Sequence, residues 1–468
     1  MASSQPFKAI ETDLSGITVL TPSSPQYAER RKIRCLNEAV EKIEPPAIAV
    51  PKSAQEVAAV VRWCVRNGLR FTVRSGGNDY FGRTVADGAL VLDMRDINYV
   101  NVSADKKTAT VGGGIIMKDL IEKLDTEDLL TPVGNIWIVG YVGWATLGGY
   151  GPLQHSHGLG IEQIVGAEIV TAKGEVVSVG KEDERLEGIR GMGGNLGVIT
   201  AVTIKVYPKF DVSTCLVPKK ARTNNPYQIF AGMLIYDASP KTIRAYHAAV
   251  SKLAIPKPLT IHMFVMNVPA LGGPHLMVYW TWADSDHEKG KAYLADFLAA
   301  TPPVKANHVA SKSLLEHYAA IPDHNAPWGG MRTQYFSSMT APLIETVVKA
   351  LETIPNDPMV NISWSGGVPI DPAVKHMLGV GKEHVFVASS FFASKPENKD
   401  PADDWNRELL KSARETGKDV LLDAAHPGLT PLGEKSFQQI LGAKAGRGWE
   451  LKAKHDPENV FGLALPRF

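Results

Sequence analysis

The chain has 468 residues, 44% of them hydrophobic and 21% charged, a globular balance that excludes a disordered or fibrous protein and suggests two or three domains. Fifty Lys and Arg stand against 49 Asp and Glu, so no basic excess marks a nucleic-acid partner. Cys35, Cys64 and Cys215 form no C-x-x-C pair, which argues against a disulfide framework or a zinc site.

The opening Met1–Ile10 stretch lacks an apolar segment of signal-peptide length, and no run of roughly 18 apolar residues occurs. A soluble, cytoplasmic protein without a membrane partner is expected. Pro45 and Pro51 bracket Ala-Ile-Ala-Val, a buried strand. Ser53-Ala-Gln-Glu56 is a capping box opening a helix to Asn67; Gly68 ends it, and Phe71–Arg74 is the next strand, closing a βαβ unit. Further strands are expected at Ala89–Asp93, Thr108–Val111, Ile164–Thr171, Val176–Val179 and Val198–Tyr207, with a helix at Lys118–Leu124. The expected fold class is α+β. Beyond about 211, strand-like runs at Leu259–Val268, His275–Trp282, Met331–Ser338, Met359–Trp364 and His384–Phe392 lengthen, with helical stretches at Lys241–Leu253, His287–Ala299 and Leu343–Ile354. That alternation suggests an antiparallel sheet covered by helices on one face. The expected domains are 1–210, 211–430 and a C-terminal segment, 431–468, that returns to the first.

Glycine clusters in the first half. Arg74-Ser75-Gly76-Gly77-Asn78 follows a strand directly, and its adjacent glycines let backbone N–H groups approach an anion. Six glycines fall within 18 residues over 134–151, among them Gly134, Gly140, Gly143, Gly148 and Gly149; the density suggests extended backbone against a flat, polar group. Arg190–Thr200, containing Gly197 and Val198, is a third such loop. No Walker A lysine follows any of them, and no G-x-G-x-x-G opens a helix.

These motifs in this order, Val-Arg-Ser-Gly-Gly-Asn-Asp-Tyr, Pro-x-Gly, Leu-Gly-Gly-Tyr-Gly, Gly-Gly-Asn-Leu-Gly-Val-Ile-Thr and terminal Lys-x-Asp-Pro-Glu-Asn-Val-Phe, resemble the berberine-bridge-enzyme-like flavoproteins. That family belongs to the vanillyl-alcohol-oxidase superfamily with its two-part PCMH-type FAD domain. The resemblance implies FAD along the glycine-rich half, with the second domain's sheet roofing the isoalloxazine. It implies that Arg74–Asn78 holds the pyrophosphate, that Gly134, Gly140, Gly143, Gly148 and Gly149 line the flavin, that Gly197 and Val198 contact the cofactor by backbone, and that Asn459 and Phe461 pack behind it. Asn78 stands where many members carry a flavin-linking His, and Ile136 where they carry a linking Cys, so noncovalent FAD is expected. Ala424 falls where members carry a Tyr that assists proton abstraction. His426, with an ordinary pKa of about 6.5, becomes the first candidate acid or base, with Tyr335 and Asp423 beside it.

Of His262, Tyr279, Trp280, Trp282, Tyr335 and Trp364, strand alternation sends about half to each face of the sheet. Asp371, before Pro372, is expected to be a turn residue, and His155 and His157 to lie at the surface or behind the site. The expected function is an FAD-dependent oxidation of a small or medium apolar metabolite of secondary metabolism by hydride transfer, with O2 as acceptor. A redox-neutral isomerase or cyclase and a non-catalytic binding protein are the alternatives; oligomeric state is left open.

Overall fold

The computed structural model describes residues 7, 9–35, 37–209, 229–268, 272–320, 326–355 and 359–468. The position of the expected boundary near 210–215, and Cys215, lie outside them. The first half builds two sheets. Strands β1 (Thr18–Leu20), β2 (Ile48–Val50), β3 (Phe71–Arg74) and β4 (Leu90–Asp93) run in the order β1-β2-β4-β3, with β2 and β3 both parallel to β4. The crossover from β2 to β3 is the helix Ala54–Arg66, where the Ser53 hydroxyl accepts from the Glu56 N–H and the Glu56 carboxylate accepts from Lys52 N. It buries Val57, Val60, Val61, Trp63 and Cys64 against the sheet, and a left-handed Gly68 follows its end.

Strands β5 (Val100–Val102), β6 (Thr108–Gly112), β8 (Ile164–Val170), β9 (Val176–Val179) and β10 (Val198–Lys205) form an antiparallel sheet, ordered β5-β6-β10-β8-β9. Two short strands, β7 (Leu129–Leu130) and β11 (Tyr207–Pro208), pair separately. The stretch 141–146 departs from the extended backbone expected of it. Tyr141–Thr146 is a short helix, because Tyr141, Val142, Ala145 and Thr146 find buried sites there and Thr146 Oγ1 donates to the Val142 carbonyl.

The second half is one large antiparallel sheet in the order β15-β12-β14-β13-β18-β19-β17-β20, with β16 also paired to β12. Its strands are β12 (Ile229–Asp237), β13 (Leu259–Val268), β14 (Gly273–Trp282), β15 (Ala306–Asn307), β16 (Ala310–Lys312), β17 (Trp328–Phe336), β18 (Met359–Val368), β19 (His384–Ala393) and β20 (Leu421–Leu422). β12 and the helix Lys399–Thr416 join the expected elements. Helices Pro240–Val250, His287–Ala300, Ala341–Ala350 and Lys399–Thr416 cover one face, burying Trp280, Trp282 and Trp364 with Ile261, Val278 and Phe297. Alternation turns His262, Tyr279 and Tyr335 to the other face, which looks toward the first half.

The C-terminal segment closes on the first half. Phe461 meets Phe71 edge-on at 6.1 Å, Lys452 Nζ donates to the Asn195 carbonyl, and Asn195 Nδ2 donates to that of Pro466. Among the described residues no helix is long and apolar enough to cross a membrane, and no cluster of His, Cys, Asp or Glu could hold a metal.

Candidate active site

Three glycine stretches converge between the two sheets of the first half. Ser75 Oγ donates to the Gly113 carbonyl, Tyr141 N donates to that of Ile115, and Gly76 lies so close to Gly140 that a Cβ on either would overlap the other's backbone. Gly77 turns at φ +75°, its carbonyl accepting from Arg34 N, and so aims the loop back over the Arg74 stem. Gly112–Gly114, at the end of β6, belong to this meeting point; the run of three glycines was the signal that could have found them.

Arg74 is fully buried. Its Nη1 donates to the Arg30 carbonyl at 2.7 Å and lies 3.4 Å from the Asp93 carboxylate, which Arg30 and Arg95 share. Burial works to raise the Asp93 carboxyl, but the Arg95 hydrogen bonds and three guanidiniums hold it below its usual range. Burial pushes Arg74 down to about 10, so it stays cationic at neutral pH. Its Nε and Nη2 are buried without a hydrogen-bond partner, directly beneath the Gly76–Gly77 turn. A buried guanidinium with two unused donors suits a phosphate oxygen. Asn78 is half-buried next to it, its backbone paired with Arg34. Gly143 faces open space, with no atom within 4 Å of where a Cβ would stand. This cradle fits FAD.

The other predicted cofactor positions divide. Gly134 packs on Trp144 and donates its N–H to Met117 Sδ, and Gly149 packs on the Gly160 backbone. Gly197 and the buried Val198 open β10 against Val170. Asn459 stands exposed at φ +52°, in a turn that leaves the inward position to Phe461.

A second cluster lies where Leu147–Gly151 meets the open face of the large sheet. Tyr150 stacks on Phe386 with ring centres 4.4 Å apart, and Tyr335, His384 and His426 lie around it at 6.4, 5.8 and 5.8 Å. Gly148, at φ +137°, brings the loop against His426; a Cβ there would sit 3.1 Å from Nε2. Tyr150 Oη and His384 Nε2 are 2.8 Å apart, while His384 Nδ1 lies 2.9 Å from the Lys382 carbonyl. The Tyr335 hydroxyl is buried near enough to Tyr150 to perturb it, yet without the alignment of a hydrogen bond. Burial raises both phenols well above 10.

His426 and Tyr335 thus come together, whereas Asp423 does not join them. Ala424 and Ala425 fill the buried positions of that turn and leave Asp423 exposed. His426 departs from the ordinary pKa expected of it: burial first, then the Arg83 charge, pushes it down to about 3. Its Nδ1 accepts the Gly428 N–H, so the neutral ring carries its proton on Nε2. Sequence reasoning missed Tyr150 and His384, which 234 residues separate. Asp371 is exposed in a turn, its side chain accepting from Ala373 N. His155 is half-buried, with Nε2 against the Gly366 carbonyl, and His157 meets Tyr207 edge-on at 4.4 Å.

Residues 45–180 match the FAD-binding domain family. The sequence is 41% identical over 192 residues to the FAD-linked oxidoreductase aurO of Gibberella zeae, covering 41% of this chain and 37% of that protein. It is 39% identical over 166 residues to (R)-6-hydroxynicotine oxidase of Paenarthrobacter nicotinovorans, covering 35% of this chain and 36% of the relative. These matches span little more than a third of either relative. Two solved structures share the whole architecture. 6-Hydroxy-D-nicotine oxidase from Arthrobacter nicotinovorans superposes with TM-score 0.83 at 22% identity over 97% of this chain and 98% of its own. Physcomitrella patens BBE-like 1 does so with TM-score 0.81 at 18% identity, over 96% and 97%.

Residues 45–180 are an FAD-binding domain, and the chain as a whole has the fold of these two oxidase-like structures. The glycine cradle lies within the matched domain, and the Tyr150 cluster lies between that domain and the roof sheet.

Proposed function

We propose that this protein is an FAD-dependent oxidoreductase that holds its flavin noncovalently and oxidises a small or medium apolar metabolite, with O2 as the acceptor that returns the cofactor to its oxidised state. The observation that carries the reading is the convergence of the Arg74–Gly77, Gly112–Gly114 and Gly140–Gly143 segments beside a buried guanidinium with two unused donors. Arg74 and the Gly76–Gly77 turn would hold the pyrophosphate, and the open side of Gly143 would admit the ring end. When bound, FAD supplies a two-electron acceptor for a hydride leaving a substrate carbon.

The chain's own residues shape the rest. His262, Phe264 and Tyr279 share the sheet face turned toward the first half, an aromatic wall suited to a flat apolar compound. His426, neutral with its proton on Nε2, would orient an acceptor atom of the substrate. Asn78 and Ile136 offer no nucleophile to the flavin, and Cys64 is buried in the core of the βαβ unit with its thiol pushed up to about 12.

Anaerobic mixing with (R)-6-hydroxynicotine, the compound in the name of the 39%-identical relative, tests the reaction class. Bleaching of the flavin absorbance is the expected result. Product formed without bleaching would replace it with redox-neutral acid–base catalysis. Acid precipitation should release all the flavin to the supernatant, and yellow colour in the pellet would refute noncovalent binding.

A further inference from the structure

The geometry points to Tyr150 as a catalytic acid–base residue of this site, with His384 as the positioning residue that takes and returns its proton. The assignment rests on the oxidoreductase reading above, but its observations stand apart from the cofactor. The Lys382 carbonyl can only accept, so His384 Nδ1 must carry the ring proton. The remaining nitrogen, Nε2, is then a lone pair, and at 2.8 Å the Tyr150 hydroxyl must donate to it. Both lone pairs of Tyr150 Oη are left to accept from a substrate.

The surroundings favour this pair over the other histidine of the cluster. His426 Nδ1 is occupied by the Gly428 N–H, and Arg83 opposes a charge on its ring. His384 is fully buried, and among the described residues no guanidinium opposes a charge on it; Tyr150 and Tyr335 face it, with His376 the other titratable ring within electrostatic reach. Burial pushes His384 down to about 4 and the Lys382 carbonyl works against that shift, so the ring rests neutral and carries a second proton only in passing. Tyr150 itself is half-buried on a left-handed Gly148–Gly149 support, stacked on Phe386, and so held in one orientation under the roof sheet. The step conserves atoms. A substrate hydroxyl or amine N–H proton passes to Tyr150 Oη as the phenol's own proton passes to His384 Nε2, giving a neutral phenol and an imidazolium. Once product has left, the imidazolium returns a proton to Tyr150, whose other proton passes to water, so the pair is reset.

Two measurements on the FAD-loaded protein test the pair. In ¹⁵N-histidine NMR, with His384 assigned through H384N, the Nδ1–H tautomer is expected, and Y150F should shift Nε2 toward the value of a free lone pair. An Nε2–H tautomer, or an unmoved Nε2 in Y150F, would overturn the assignment. In anaerobic flavin reduction by (R)-6-hydroxynicotine, Y150F and H384N should each lower kcat/KM by about 10²–10⁴ with the flavin spectrum and content unchanged. The double variant should cost no more than the worse single one, because both remove one relay. Activity within threefold in Y150F, or full additivity, would overturn it. If the wild type leaves the flavin oxidised with this probe, that failure belongs to the oxidoreductase reading on that compound, and the NMR result alone decides for or against the pair.

Discussion

Single atoms decide whether the cradle can form. Gly76 and Gly140 touch backbone to backbone, which only two residues without a Cβ permit. Gly76→Ala should therefore part the two loops and empty the protein of flavin, with purified protein showing less than a tenth of wild-type flavin absorbance per chain. Gly143→Ala, on the open side, should retain a folded chain while lowering FAD affinity, measured by fluorescence titration of the apoprotein. Unchanged occupancy in both would displace the cofactor from this cradle. The contrast is useful because one glycine is required by the protein's own packing and the other only by what enters the space.

At the scale of elements, the roof sheet separates its work between two faces. Trp280 is fully buried among Tyr293 and Phe297 on the helix-covered side, whereas Tyr279, its neighbour in sequence, is half-buried on the site side. Trp280→Ala should cost about 3–5 kcal/mol of stability by urea unfolding, the usual range for an aromatic core truncation. Tyr279→Ala should cost less and act on KM instead; equal losses of stability would erase the distinction. This two-faced pattern was legible from strand alternation, as were the βαβ unit and its Ser53 cap, since each is written in local spacing. The helix at 141–146 was not, because its glycines argue against a helix and its burial against distant residues overrides them. Nor was the Tyr150–His384 pair, which exists only once a glycine loop from one half is laid against a strand end from the other. Asp423 was read into the site by its place beside Ala424 in the resembled motif, and the turn buries Ala424, Ala425 and His426 while leaving Asp423 exposed.

Across the whole molecule, buried neutral imidazoles recur. Burial pushes His426 and His376 down to about 3, and His157, His262, His317 and His384 down to about 4, with nearby cations adding to the effect at His426, His376, His157 and His317. In the unfolded chain each takes up a proton below about pH 6.5, while the folded rings resist until about 3–4. The unfolded state then binds more protons, so stability is complete above about pH 6.5 and drains away as pH falls through that window. The urea midpoint should drop clearly between about pH 7.5 and pH 5; a flat profile would contradict the buried neutral rings. The edge-on contact of Phe461 with Phe71 carries a different consequence, one of timing. About 390 residues separate the two rings in sequence. At roughly 5–20 residues per second, a ribosome needs about 20–80 s to deliver the second after the first. Through that interval the nascent βαβ unit, with its parallel strands already made, waits for the aromatic ring that completes its core. Flavin capture should therefore wait on the synthesis of Phe461, and chains broken off before it should leave the ribosome colourless.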